Sequence, residues 1–226
     1  MLGVHPLASL AAALLAACAL NAGAVPFAAN IGGERVVLDS VPGLTDALPL
    51  GSPRVQEVAE SLTSASNRIL LFALTDADIR RFNVGERTDF KRYMLLATPN
   101  HLERERVSAE QFRLLIDDAQ RDTGKPADIK DYAKHMDDRA EGQPTVLAEL
   151  KRTPEMYSVL LGARVPGSGG FFAKAQYLIT TTTFLLVRNK ALSLSVYSNY
   201  DGPQDIEWIR FVTERWVETL QRLNAR

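Results

Sequence analysis

The last third of the chain leaves few architectures open. Ala175 to Val187 (AQYLITTTTFLLV) is a long run of β-branched and aromatic residues, the composition of a strand in the middle of a sheet. Arg188-Asn189-Lys190 then forms a tight turn, in which Asn tolerates a left-handed backbone. Beyond it Leu192, Leu194 and Val196 alternate with Ser193, Ser195 and Tyr197, so one face of this second strand is buried and the other is polar. Pro203 opens a helix with Asp205 and Glu207 at its positive end. Its stripe of Ile206, Ile209, Val212, Thr213, Trp216, Leu220 and Leu223 has to lie on a sheet or another helix.

The other elements agree with a sheet carrying helices. Glu34 to Asp39 (ERVVLD) is expected to be a strand, stopped by Ser40-Val41-Pro42-Gly43. Ser52-Pro53 starts a helix expected over 53–64, with Val55, Val58, Ala59 and Leu62 on one side. Arg68 to Leu74 and Lys91 to Thr98 are interior strands. Between them Thr75 and Asp78 open a single helical turn through Arg81. Ser108 with Gln111 is a capping box ahead of the stripe Phe112, Leu115, Ile116 and Ala119. The thin stripe of Ile129, Tyr132, Ala133 and Met136 predicts a peripheral helix over 128–141. The expected fold class is α+β: a mostly antiparallel sheet, helices packed on its faces, and a long C-terminal amphipathic helix.

The order over 175–223 (long strand, tight turn, polar-faced strand, terminal helix) resembles the end of PsbP-like α+β domains. In that family an element similar to Val36–Gly43 also pairs into the sheet. The resemblance covers about a third of the chain and implies an exported, non-catalytic assembly or accessory module, in some bacterial members a lipoprotein. It carries over no functional residues.

The N-terminus is a different material. Residues 1–24 contain no Asp, Glu, Lys or Arg, although the chain has 26 basic and 27 acidic residues. Leu7 to Leu20 is an Ala/Leu-rich stretch of the length of a signal-peptide core, shorter than the roughly 20 residues that span a bilayer. Ala22-Gly23-Ala24 offers the small-x-small pattern of a cleavage site, with Val25 as the new N-terminus. No Lys or Arg precedes the apolar run, which departs from the usual signal pattern. A competing reading is the lipoprotein box Leu15-Ala16-Ala17-Cys18, in which Cys18 is acylated; a third is a buried Ala-rich helix. The expected organisation is a signal peptide over 1–24, a short leader over 25–30 and a single domain over 31–226. Cys18 is the sole cysteine, so the mature domain has no disulfide, thiolate or Cys-based zinc site.

Two histidines remain in that domain. His101 precedes Glu103 and Glu105, which would share its face on a strand; His135 has Asp131 and Asp138 at helical spacing. Neither pattern is a recognised metal motif, and solvated histidine is the plainer interpretation. The Gly167-Ser168-Gly169-Gly170 loop lacks the residues of a phosphate cradle or a nucleophile elbow. Phe171 and Phe172 behind it either pack inward or form a contact patch. Arg80, Arg81, Arg87, Lys91 and Arg92 make a basic cluster without interleaved aromatics, a poor nucleic-acid signature at a net charge of −1. Residues 101–150 hold 8 basic and 12 acidic residues, and 151–226 hold 10 and 6.

The expectation is therefore an exported, non-catalytic binding or accessory protein of the bacterial envelope, periplasmic or secreted, with an envelope protein or ligand as partner. No cofactor, metal or nucleic acid is expected, and membrane contact only through a lipid on Cys18. The alternative is an exported hydrolase with a site dispersed on loops, which His101 or His135 would join.

Overall fold

The computed structural model describes residues 25–225 except 87, 89, 124–128, 130 and 167–175. Cys18, Ala22, Ala24, Arg87, the Gly167–Gly170 loop, Phe171 and Phe172 lie outside the described residues.

Seven strands form one sheet: β3 (Leu44–Asp46), β4 (Asn67–Thr75), β5 (Arg92–Pro99), β6 (Thr145–Thr153), β7 (Met156–Val165), β8 (Gln176–Val187) and β9 (Lys190–Asn199). Their order is β3-β4-β5-β9-β8-β7-β6, and every pairing is antiparallel. Two meanders, β3–β4–β5 and β6–β7–β8–β9, are thus fused by the central β5–β9 pairing. The turn closing β8 onto β9 needs left-handed backbone at both Arg188 (φ 49°) and Asn189 (φ 60°). That is the two-residue geometry whose twist matches the flanking strands.

A separate ribbon, β1 (Phe27–Ile31) paired with β2 (Glu34–Leu38), precedes the sheet. Its turn residue Gly32 has φ 53°, and a Cβ there would overlap the Glu103 carbonyl oxygen. Glycine is required twice over, by conformation and by contact.

Among the described residues, five helices complete an α+β fold: α1 (Pro53–Ser61), α2 (Asp76–Asn83), α3 (Ala109–Thr123), α4 (Tyr132–Asp137) and α5 (Pro203–Asn224). Alternate residues of each strand serve the two faces. On one face α5 lies over β8 and β9, and β2 runs against its flank. Ile209, Trp216 and Leu220 are fully buried there against Leu194, Val196 and Leu185. Trp216 Nε1 donates to the Asp39 carbonyl at 2.7 Å. Asn224 both accepts from Val37 N and donates to its carbonyl, each at 2.8 Å, imitating a strand neighbour. On the other face α1 and α2 cover Phe72, Leu74 and Tyr93, while α3 sets Phe112 and Ile116 against Tyr157 and Val159.

The capping expectations hold in detail. Thr75 Oγ1 accepts from Asp78 N at 3.1 Å, although the helix it opens runs eight residues to Asn83, longer than the single turn through Arg81 that was expected. Ser108 and Gln111 exchange both bonds of their box, at 2.8 and 3.2 Å.

Several expectations are corrected. Residues 27–31 form β1, where a leader was expected; FAANI gains its order by pairing with β2. That ribbon stays apart from the larger sheet, unlike the early strand the resemblance implied. The helix expected over 53–64 ends at Ser61. Of the helix expected over 128–141, the described residues form only the six of α4, and Met136 within it is fully buried. A thin stripe marked it as peripheral, yet one large side chain seats it: a Cβ on Gly162 would come 2.5 Å from Met136 Sδ. The β6–β7 hairpin and β3 have no counterpart among the expected elements.

Candidate functional site

Seven strands at roughly 4.8 Å spacing make a sheet about 29 Å wide, whereas one helix covers about 10 Å of it. On the α5 face the β1–β2 ribbon covers one flank and α4 reaches Leu147 and Gly162. Among the described residues, the stretch of β6 and β7 beside the C-terminal half of α5 has no cover. It forms a cleft of about 270 Å³. Met156 and Ser158 from β7, with Thr213 and Val217 from α5, line its buried interior. Glu149 and Lys151 on β6 stand on one wall, and Arg210, Glu214 and Glu218 on the other. Glu149 pairs with Arg152 along its own strand, at 3.3 Å. Lys151, Arg210, Glu214 and Glu218 form no ion pair among the described residues.

Four hydroxyls, Thr213 on α5 and three on the strands below it, meet between helix and sheet. Thr213 donates to the Ile209 carbonyl at 2.7 Å, so Thr181 donates to Thr213 and both protons are used. Ser158 and Thr183 share one bond of 2.7 Å, which leaves one proton over. Thr183 has no exposed surface, and an unpaired donor there would cost about 1–3 kcal/mol. The favoured arrangement therefore has Thr183 donating to Ser158, whose own proton turns to the cleft it lines. The floor is 97% buried at Ser158, which is 3% exposed, and presents one hydrogen-bond donor.

A second concavity of about 350 Å³ opens at the sheet end where β4, β5, β9 and the starts of α2 and α5 converge. It gathers Arg81, Lys91 and Arg92 from the basic cluster, but Asp78, Asp201 and Asp205 stand among them. Arg92 binds Asp205 at 3.0 Å and stacks over Trp208 at 4.2 Å, and Asp205 also accepts from Asp201 N at 2.9 Å. Arg92 and Asp205 thus compensate one another within this concavity. One turn along α5 from Trp208, Phe211 is 61% exposed.

The two histidines stand apart from both concavities. His101 is exposed in a single 3₁₀ turn after β5, not on a strand, and Glu103 is taken by Arg68 at 3.2 Å. His135 Nε2 lies 3.2 Å from Thr145 Oγ1. Asp131 instead caps α4 by accepting from Lys134 N at 3.1 Å, and Asp138 ends that helix, exposed. Among the described residues no three His, Cys, Asp or Glu side chains converge to hold a metal. The cleft residues went unrecognised in the sequence, since Ser158 and Thr213 belong to elements that local pattern does not bring together. The available signal was Thr181 and Thr183, hydroxyls at the inward parity of an otherwise apolar strand.

No family model matches the chain, and no curated protein matches it. Among solved structures it is similar to the Ran-binding protein Mog1p of Saccharomyces cerevisiae, at 9% identity and a TM-score of 0.40, over 88% of this chain and 94% of that one. A mutant of Mog1 aligns over the same shares at 10% identity and a TM-score of 0.39.

Proposed function

We propose that the protein is an exported, non-catalytic binding protein of the bacterial cell envelope that takes its partner or ligand into the cleft between α5 and the β6–β7 hairpin. The observation that carries this reading is the cleft itself: a buried floor carrying the Ser158 hydroxyl, between walls of charges unpaired with one another. Charges left without internal partners beside a concave, partly apolar floor are available to a ligand. The charge-free stretch 1–24 supports export, with removal after Ala24 or acylation of Cys18 as the two routes.

One experiment in intact cells addresses both halves. A photo-crosslinking residue is placed at Glu218 on the cleft rim, and in a control at Glu57 on the exposed side of α1. The expected result is a discrete adduct in the envelope fraction from position 218, none from 57, and its loss when Arg210→Glu reverses a wall charge. Intact mass of the same material should give Val25 as first residue or a lipid on Cys18. Equal labelling at both positions, or a chain that keeps residue 1 and stays in the cytoplasm, overturns the proposal.

A further inference from the structure

We infer that the cleft recognises a small zwitterion with an aliphatic body, namely an amino acid or short peptide presenting a free carboxylate. This rests on the binding role proposed for the cleft and names its ligand chemistry. With Thr183 donating to it, the Ser158 hydroxyl that lines the cleft has its own O–H left for an acceptor oxygen there. Lys151 on β6 and Arg210 on α5 place a cation on each wall, so the acceptor they favour is a carboxylate. The same cleft holds Glu214 and Glu218, four and eight residues along α5 from Arg210. At 1.5 Å per residue these lie roughly 6 and 12 Å away along the axis. An extended dipeptide spans about 7 Å, which allows its ammonium to meet a glutamate while its carboxylate stays with the cations. Met156, Leu150 and Val217 supply the apolar surface for the body between the charged ends. A plain anion would meet Glu149, Glu214 and Glu218 as well as the two cations, and a plain cation the reverse. A molecule with both charges is what the lining complements.

The test titrates the purified protein with alanyl-leucine, its C-terminal amide, its N-acetyl derivative and free leucine, followed by amide chemical shifts. Alanyl-leucine is expected to move Ser158, Thr213 and Val217 in a saturable manner. Amidation or acetylation should each weaken binding about tenfold or more, as should Lys151→Gln, a change at an exposed residue with no described ion pair. Ser158→Ala should weaken it similarly, with its fold checked by shift dispersion. If leucine binds more tightly than alanyl-leucine the source is amino acids; the reverse assigns peptides. No shifts at 50 mM, shifts away from the cleft, or equal binding by the amide overturns the inference. A negative titration together with position-dependent crosslinking at 218 removes the ligand class and leaves the binding role standing.

Discussion

Lys190 and Asp46 are held by main-chain groups in place of opposite charges. Lys190, 2% exposed, donates from Nζ to the carbonyls of Glu103 and Glu105 at 2.9 and 2.8 Å, fastening the segment after β5 to the β8–β9 turn. Asp46 Oδ1 accepts from Leu48 N and Phe72 N, both at 3.2 Å, where β3 meets β4. Burial raises the Asp46 carboxyl above its ordinary 3.8, and the two main-chain donors only partly offset this. The sign follows from linkage: the folded state holds its proton more tightly than the unfolded chain, so ionised Asp46 opposes folding at neutral pH. That penalty fades as pH falls through the folded value towards 3.8. Asp46→Asn keeps the Oδ1 acceptor and removes the charge. Urea unfolding is expected to find the variant as stable as the parent or more so at pH 7, with that difference shrinking as pH falls towards 3.8. A variant less stable at pH 7 by more than about 1 kcal/mol would show that the charge itself strengthens the two bonds.

At the scale of elements, α5 holds the ribbon to the sheet through Trp216 and Asn224. Trp216→Ala is expected to cost about 3–5 kcal/mol in urea unfolding, from cavity formation at a fully buried site. Trp216→Phe should cost about 1–3 kcal/mol, since the Asp39 carbonyl loses its donor. A negligible loss in both would mean that the ribbon is not anchored there. Where local chemistry settles conformation, the sequence was legible: the Ser108–Gln111 box, the Thr75 cap, the Asn189 turn and the stripe of α5 all formed as their residues demand. The β6–β7 hairpin was not legible, because its edge strand TVLAELKRT is only partly alternating and carries bulges between Val146 and Ala148 and between Glu149 and Lys151. Bulges and charges discourage further pairing at a sheet edge, and they also erase the period-2 signal. With that hairpin unread, half of the cleft was invisible, and so was the inward parity that joins Ser158 to Thr183. FAANI, too, becomes a strand only because β2 is beside it.

For the molecule as a whole, α5 contributes the largest share of cover to one sheet face. Deleting 203–226 would uncover Leu185, Leu194 and Val196, all at most 1% exposed. The truncated chain is expected to lose cooperative thermal unfolding and to bind a hydrophobic dye; a sharp melt near that of the parent would contradict the packing described. A longer consequence attaches to the pairing at the sheet's centre. β5 joins β9 across Tyr93↔Tyr197, so the two strands that fuse the meanders lie about a hundred residues apart in the chain. Closing so long a loop is entropically costly and places this pairing late among the steps of folding. During synthesis at 5–20 residues per second, β5 has to wait roughly 5–20 s for its partner to be made. Over that interval Met94 and Leu96, which end fully buried, have no sheet neighbour on their β9 side. Until β9 is made, the β5 edge of the first meander is an unpaired row of main-chain donors and acceptors, the kind of edge onto which another strand can add.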